Sequence, residues 1–425
     1  MEFPKTSGHI SFEKHTLQNG LRVLLHEDHS SAVVCLNIAY HVGSKNESIA
    51  RRGFAHLFEH LLFDGSKHVA RGEFDRHITQ AGGRDNAYTT EDKTNYYEVM
   101  PSNELDLALW LESDRMLEFA VTEIGLSTQK EVVKEEKRER YDNTPYGSVS
   151  IRMNRAAYKQ FPYWWPVIGD METIDAATLV DVRNFFETYY QPSNAVLVLA
   201  GDFEPADALA RIRKFFEAIP NGVTIERPAF DEPPMESERR ETVSDEPIPL
   251  PAIFYGYRVP QEDSREFFAL DLLCGILASG ESSRLYQTLV YDRQIASETA
   301  AYVDAREMPG LLYLYAIASD PELGTNELEL VVNDILQNII EEGIRPEELQ
   351  KARNKSESII VASRLTVEGK ADQLAHAALM FGDANRVNTL LDEYSSISSE
   401  EVHQVAKKYL RQENRVALVY HKTST

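Results

Sequence analysis

The sequence predicts an α+β fold of two similar domains, each a mixed or mainly antiparallel sheet covered by helices. Three observations lead there: the order of the elements, an internal repeat, and the length. Residues 21–26 and 32–41 read as strands that run into an apolar helix over 52–65. A helix near 176–189 and a strand over 195–200 close the first half, and residues 205–218 follow as an amphipathic helix with Leu209, Ile212, Phe215 and Phe216 on its apolar face. Strand runs followed by helix runs suggest layers rather than alternating βα units. The repeat is visible directly. AHLFEHLLFDG at 55–65 aligns without gaps on LDLLCGILASG at 270–280, and YYQPSNAVLVLAG near 189 echoes YLRQENRVALVYH near 409. At 425 residues the chain exceeds one core. The stretch 220–251, with Pro228, Pro233, Pro234 and the charged run 236–241, has the composition of an extended linker plus an entering strand, dividing the chain into 1–228 and 229–425.

Within RGFAHLFEHLLFDG at 52–65, His56, Glu59 and His60 spell HxxEH, the mirror order of the HExxH zinc-peptidase motif. Phe54, Leu57, Phe58, Leu61, Leu62 and Phe63 surround them with apolar surface, so the helix is expected to be buried. Two imidazoles and a carboxylate are costly to bury without partners. His56 and His60 are four apart on one helical face, so both rings can point at one ion about 2 Å from each. Glu59 sits beside that face, within reach of a water at the metal. Catalytic zinc takes three protein ligands and an open position, so a third donor must come from elsewhere. Residues 129–140, QKEVVKEEKRER, are the best source, although such a run taken alone reads as a solvated helix face laced with i,i+4 pairs.

HxxEH followed by a VVxxE-type helix, with Glu136 lying 76 positions after His60, resembles the pitrilysin/insulinase family of inverzincin zinc peptidases. The resemblance implies a metallopeptidase fold of the LuxS/MPP-like kind and Zn2+ held by His56, His60 and Glu136, with Glu135 as the fallback ligand. Many family members carry a Glu seven positions before the ligand; here it is Gln129, which can hydrogen bond but brings no charge and is left out of the site. YHVGSKNE at 40–47 and GGRDNAYT at 82–89 are similar to family segments flanking the zinc helix. In the family the second of these pairs with substrate backbone, which implies substrate-binding roles for Asn86, Ala87 and Thr89 through strand addition. Taken alone, those residues read as an ordinary strand after a Gly-Gly turn.

The implied activity is zinc-dependent endopeptidase action on short or unfolded peptides inside a two-chain chamber, with this chain as the zinc-bearing, half-length subunit of bacterial type. Zinc would acidify water and polarise the scissile carbonyl, and Glu59 would move the proton; no organic cofactor is needed. In the second copy the positions of His56, Glu59 and His60 become Asp271, Cys274 and Gly275, so only the first half can bind zinc this way. After a segment like SSRLYQ at 282–287, family members usually carry an Arg and, seven residues later, a Tyr that contact substrate. Here those positions are Val290 and Ser297. The resemblance therefore implies a heterodimer with a second family chain that supplies the pair, or a homodimer that compensates through Arg293 or Tyr302. Two other function classes remain: a non-catalytic structural or processing-complex subunit, and a peptide-binding zinc protein.

A net charge of −24 argues against nucleic-acid binding and disfavours anionic membranes. It keeps the protein soluble or lines a chamber that draws in basic peptides. No run of 18 apolar residues spans a membrane, and no basic-then-apolar leader opens the sequence. The expected location is cytoplasmic as the chain stands, or periplasmic if a leader has been removed. Cys35 and Cys274 sit in apolar surroundings in different halves and read as buried free thiols. His41, His68 and His77 have no partner pattern and read as structural or exposed.

Overall fold

A computed structural model describes residues 8–227, 230 and 232–421. The expected boundary at Pro228 and Ala229 lies outside the described residues. The strands are β1 Glu13–Thr16, β2 Arg22–Glu27, β3 Val33–Tyr40, β4 Arg84–Thr89, β5 Thr94–Pro101, β6 Ala195–Gly201, β7 Arg239–Val243, β8 Ala252–Arg258, β9 Ala296–Asp304, β10 Leu311–Ala318 and β11 Arg415–Tyr420. The helices of the first half are α1 Phe54–Leu61, α2 Glu73–Gln80, α3 Leu105–Leu117, α4 Glu123–Lys137, α5 Val149–Ala157, α6 Met171–Asp175, α7 Leu179–Tyr189 and α8 Pro205–Phe216. Those of the second are α9 Arg265–Ala278, α10 Thr325–Glu342, α11 Pro346–Ser363, α12 Val367–Met380, α13 Arg386–Ser396 and α14 Ser399–Tyr409.

Two sheets of the expected mixed kind result. The first runs β1-β2-β6-β3-β5-β4 and the second β7-β11-β8-β10-β9. In the first only β2 and β6 are parallel; in the second only β7 and β11 are. The five-strand order is the same in both, so the repeat read in the sequence is a repeat of topology. Local chemistry repeats too. Thr178 and Asp181 form a capping box at α7, and Ser398 and Glu401 form one at α14. Sixteen residues after each cap stands an Asn with the same task. Asn194 Nδ2 donates to the carbonyls of Tyr189 and His41, and Asn414 Nδ2 to those of Tyr409 and Arg258. Each ties the end of a helix to the end of the third or eighth strand.

The central strands explain their own position. β6, AVLVLAG, and β8, AIFYGYR, are buried along their whole length, which suits strands covered on both faces. What covers them departs from a simple division of the chain. One compact unit comprises residues 1–136, 165–229 and 361–389, and the other 137–164, 230–360 and 390–425, so each draws on both halves. In the first unit α12 lays Ala371, Ala375 and Ala378 on Cys35, Ala39, Val196 and Ala200, small residues that let helix and sheet approach closely. In the second, α5 packs Met153 and Ala157 against Phe254, Val416 and Leu418, and Met153 fills the space left by the missing side chain of Gly256. The opposite face of that sheet is covered by α9, α10 and α14 through Leu273, Val331 and Val405. Both cysteines are buried free thiols. Among the described residues, no helix is long and apolar enough to cross a membrane.

Candidate metal centre

The helix that carries the HxxEH residues, α1, is eight residues long, and its N-terminus is held by specific contacts. Its N-cap Gly53 has φ 85°, and a Cβ there would lie 2.8 Å from Gly169 Cα, so the close approach and the left-handed backbone both require glycine. Buried Glu47 takes the first amides: Gly53 N donates to Oε2 at 2.8 Å and Ala55 N to Oε1 at 2.7 Å. Burial pushes the Glu47 carboxyl well above the usual carboxylate range, and the amides of Ala55 and Gly53 pull it back. The inward face of α1 is anchored by Phe58, whose ring lies 4.3 Å from Tyr190 and stacks on Phe119 at 5.0 Å. Phe54, Leu57 and Leu61 are buried with it, as the apolar pattern requires.

On the other face His56 and His60 stand together, ring centroids 4.8 Å apart. Glu136 comes to them from the last turn of α4, and the helix tightens its grip on this unit upstream: Lys130 Nζ donates to the carbonyls of Asp175 and Ala177 at 2.9 and 2.6 Å. Glu136 Oε2 lies 3.5 Å from His56 Nε2 and 3.3 Å from His60 Nε2. These separations decide between two kinds of contact. A charge-assisted hydrogen bond between imidazolium and carboxylate closes to about 2.7–2.9 Å. Two ligand atoms on one tetrahedral zinc, each about 2.0–2.1 Å from it, stand about 3.3–3.4 Å apart. The distances match the edges of such a tetrahedron, and two nitrogens with one oxygen are a donor set zinc takes. The residues present fit the metal. His56 is buried, and the side chains of His60 and Glu136 are 23% and 16% exposed, so the triangle is shielded yet open on one side. Glu135, the fallback ligand, is exposed.

Glu59 is half-buried at the edge of this face, and Thr89 Oγ1 donates to its Oε2 at 2.5 Å. Thr89 ends β4, which pairs with β5 alone and forms the edge of its sheet. Asn86 is exposed, its Oδ1 accepting from the Ala87 amide at 2.9 Å, and Ala87 is half-buried. The strand is fixed from behind by α12, through Tyr88 Oη to Asp372 at 2.6 Å and an Arg84 to Glu368 ion pair. Val290 packs against the core of the second unit, Ser297 Oγ donates to the Ala318 carbonyl at 2.9 Å, Arg293 is exposed, and Tyr302 stacks on Tyr313. Of the other histidines, His68 Nδ1 is 2.6 Å from Asp114 Oδ1 and His77 sits edge-on to Trp110. Among the described residues one further group, Glu27, His29 and Glu204, brings ligand atoms as close, but all three are exposed and His29 bridges Glu27 and Asp202 as an ion-pair cluster.

Sequence reasoning reached the triangle and missed its supports. Glu47 lies in the quoted 40–47 segment, but its span of six residues to Gly53 matches no helix-capping spacing. The Thr89 to Glu59 bond joins residues 30 apart and carries no sequence signal.

A family model described as "Insulinase (Peptidase family M16)" matches residues 22–170, and one described as "Peptidase M16 inactive domain" matches residues 176–356. The chain belongs to the pitrilysin/insulinase (M16) family. This M16 chain is 29% identical over 408 residues to "Zinc protease PqqE" of Helicobacter pylori, covering 94% of this chain and 90% of that protein. Its fold matches the crystal structure of a protease from Helicobacter pylori with a TM-score of 0.92 and 28% identity, over 97% of this chain and 100% of that one. It also matches the periplasmic protease PqqL from Escherichia coli, TM-score 0.81 and 19% identity, over 98% of this M16 chain but 48% of PqqL. The second-half match is to an inactive domain, in keeping with Asp271, Cys274 and Gly275 at the ligand positions.

Proposed function

We propose that this chain is a zinc-dependent endopeptidase acting on short or unfolded peptides, and that it is the zinc-bearing subunit of a two-chain chamber. The observation that carries this reading is the triangle of His56, His60 and Glu136 with Glu59 on the same short helix. In this reading the three side chains hold Zn2+, residues 1–228 form the catalytic half, and 229–425 form its metal-free counterpart. Bound zinc supplies the Lewis acidity that polarises the scissile carbonyl and acidifies water. Glu59 takes the proton of the attacking water and passes it to the departing amine. The Thr89 hydroxyl, donating to one oxygen of Glu59, fixes which oxygen is left for that transfer. The outer edge of β4 at Asn86, Ala87 and Thr89 receives substrate as an added strand, which recognises backbone more than side chains.

Val290 and Ser297 leave the chain without the Arg/Tyr pair, so a second family chain is proposed to supply it; a homodimer using Arg293 or Tyr302 is the other arrangement. PqqL, whose fold this chain matches, is about twice as long as this chain. The proposed location is either compartment of the sequence reading, cytoplasm or periplasm; PqqL is named a periplasmic protease.

Two measurements on the purified chain test the reading: bound zinc by elemental analysis, and turnover of a quenched peptide with Glu59→Gln as the blank. Zinc near one per chain with turnover that the blank lacks supports it. A chain whose zinc content is unchanged by His56→Ala sinks the metal assignment. The second reading, a non-catalytic subunit, is favoured by Val290 and Ser297, and zinc without turnover even after a partner chain is added would select it.

A further inference from the structure

Asp64 lies three residues past the end of α1, and its side chain is only 4% exposed. Arg71 Nε meets its Oδ1 at 2.8 Å, and Gln129 Nε2 donates to the same oxygen at 3.3 Å. A Cβ on Gly125 would overlap its Oδ2, so α4 closes on this carboxylate as far as a helix can. Gly125, Gln129, Val133 and Glu136 fall at i, i+4, i+8 and i+11, a single stripe of α4. The stripe that grips Asp64 at one end therefore presents Glu136 to His56 and His60 at the other, about 10 Å further along the helix.

We propose that Asp64 and Gln129 form a latch that sets α4 against the loop after α1 and so fixes the spacing between the histidines and Glu136. The proposal deepens the metal reading and rests on it for its effect on zinc. An α-helix transmits a displacement at Gln129 to Glu136 almost undiminished, while a metal site tolerates errors of only about 0.5 Å. The latch also accounts for an amide at 129. A carboxylate there would face the buried Asp64 carboxylate at hydrogen-bond distance, two like charges sharing one guanidinium. Gln129 is a positioning residue that works through α4 and touches neither metal nor substrate.

The test is a reciprocal swap in the full chain. Gln129→Glu sets two carboxylates together; adding Asp64→Asn restores one amide and one carboxylate with the polarity reversed. Zinc release to a chelator should be about ten- to hundredfold faster in Gln129→Glu, the range for lost outer-shell support, and should return to within a fewfold of wild type in the double variant. Rescue is the readout that general damage to the helix would not produce. In metal-free protein the two substitutions should also be non-additive in thermal melting. Release at the wild-type rate in Gln129→Glu, no rescue in the double variant, or additive melting shifts would each overturn the latch. Should wild type itself hold no zinc at His56 and His60, the metal reading fails, and the melting cycle still decides whether the latch exists.

Discussion

Helices α1 and α9 hold the same place in two sheets of the same strand order, yet one face of α1 carries the candidate metal triangle and the matching face of α9 is filled by its neighbours. At the position of His56 stands Asp271, half-buried, with Tyr394 Oη donating to it at 2.8 Å. At the position of Glu59 stands Cys274, whose thiol burial pushes well up. At the position of His60, Gly275 lets α11 come so near that a Cβ would touch Ala352 Cβ at 3.4 Å. The position of Asp64 is Ser279, and it too is gripped from the facing helix, Lys355 Nζ donating to its carbonyl at 2.7 Å. A metal held at α1 would thus need a gap that the matching helix α9 does not keep. The fold is equally content to close it.

The comparison breaks hardest at Glu59. Glu59→Gln is expected to lose about 10²–10⁴-fold in peptide turnover while keeping its zinc, read by a quenched peptide and by elemental analysis. Next comes Glu136→Gln, which should lower zinc affinity by more than the ten- to hundredfold typical of outer-shell changes, measured by chelator competition; affinity equal to wild type would remove Glu136 from the ligand set. The scaffolds under the two helices should be alike where the sites are not. Phe58→Ala should cost about 3–5 kcal/mol, and Leu273→Ala at the matching position about 2–5 kcal/mol, by denaturant melts. Only the first should also speed zinc release.

The smallest effect lies at Asp271, where burial raises the carboxyl above its ordinary value. A raised acid contributes stability below its unfolded pKa and loses that contribution as pH rises through the folded one. Asp271→Asn, which keeps an acceptor for Tyr394, should therefore gain on wild type as pH rises above about 4 and match it below. Parallel melting curves across pH 3 to 8 would refute this.

The strands β2, β3 and β6 and the helices α7 and α8 were legible within one to three residues because each carries its own apolar period. The repeat was legible because it is written in consecutive residues. The triangle was legible for half of another reason: His56 and His60 share one helix, whereas Glu136 emerged only through its spacing and a family likeness. What stayed hidden was tertiary. Nothing local in α12, with its alanines, says which of two sheets it will cover, and a charged run such as 129–140 does not announce that Gly125 and Gln129 grip an aspartate 61 and 65 positions away. The stretch 220–251 read as linker plus strand does yield β7, but its partner is β11, the last strand of the chain.

The exchange of α5 and α12 between the two sheets has a temporal side. Every residue of the candidate metal triangle has been made once position 136 leaves the ribosome, yet the sheet behind it gains its α12 cover only when position 380 has followed. At about 5–20 residues per second, the stretch between the end of β6 at position 201 and the end of α12 takes roughly ten to forty seconds, during which β3 and β6 lack the cover of the α12 alanines. A nascent chain in that interval is a candidate for chaperone capture, although all three residues of the candidate triangle have already been made.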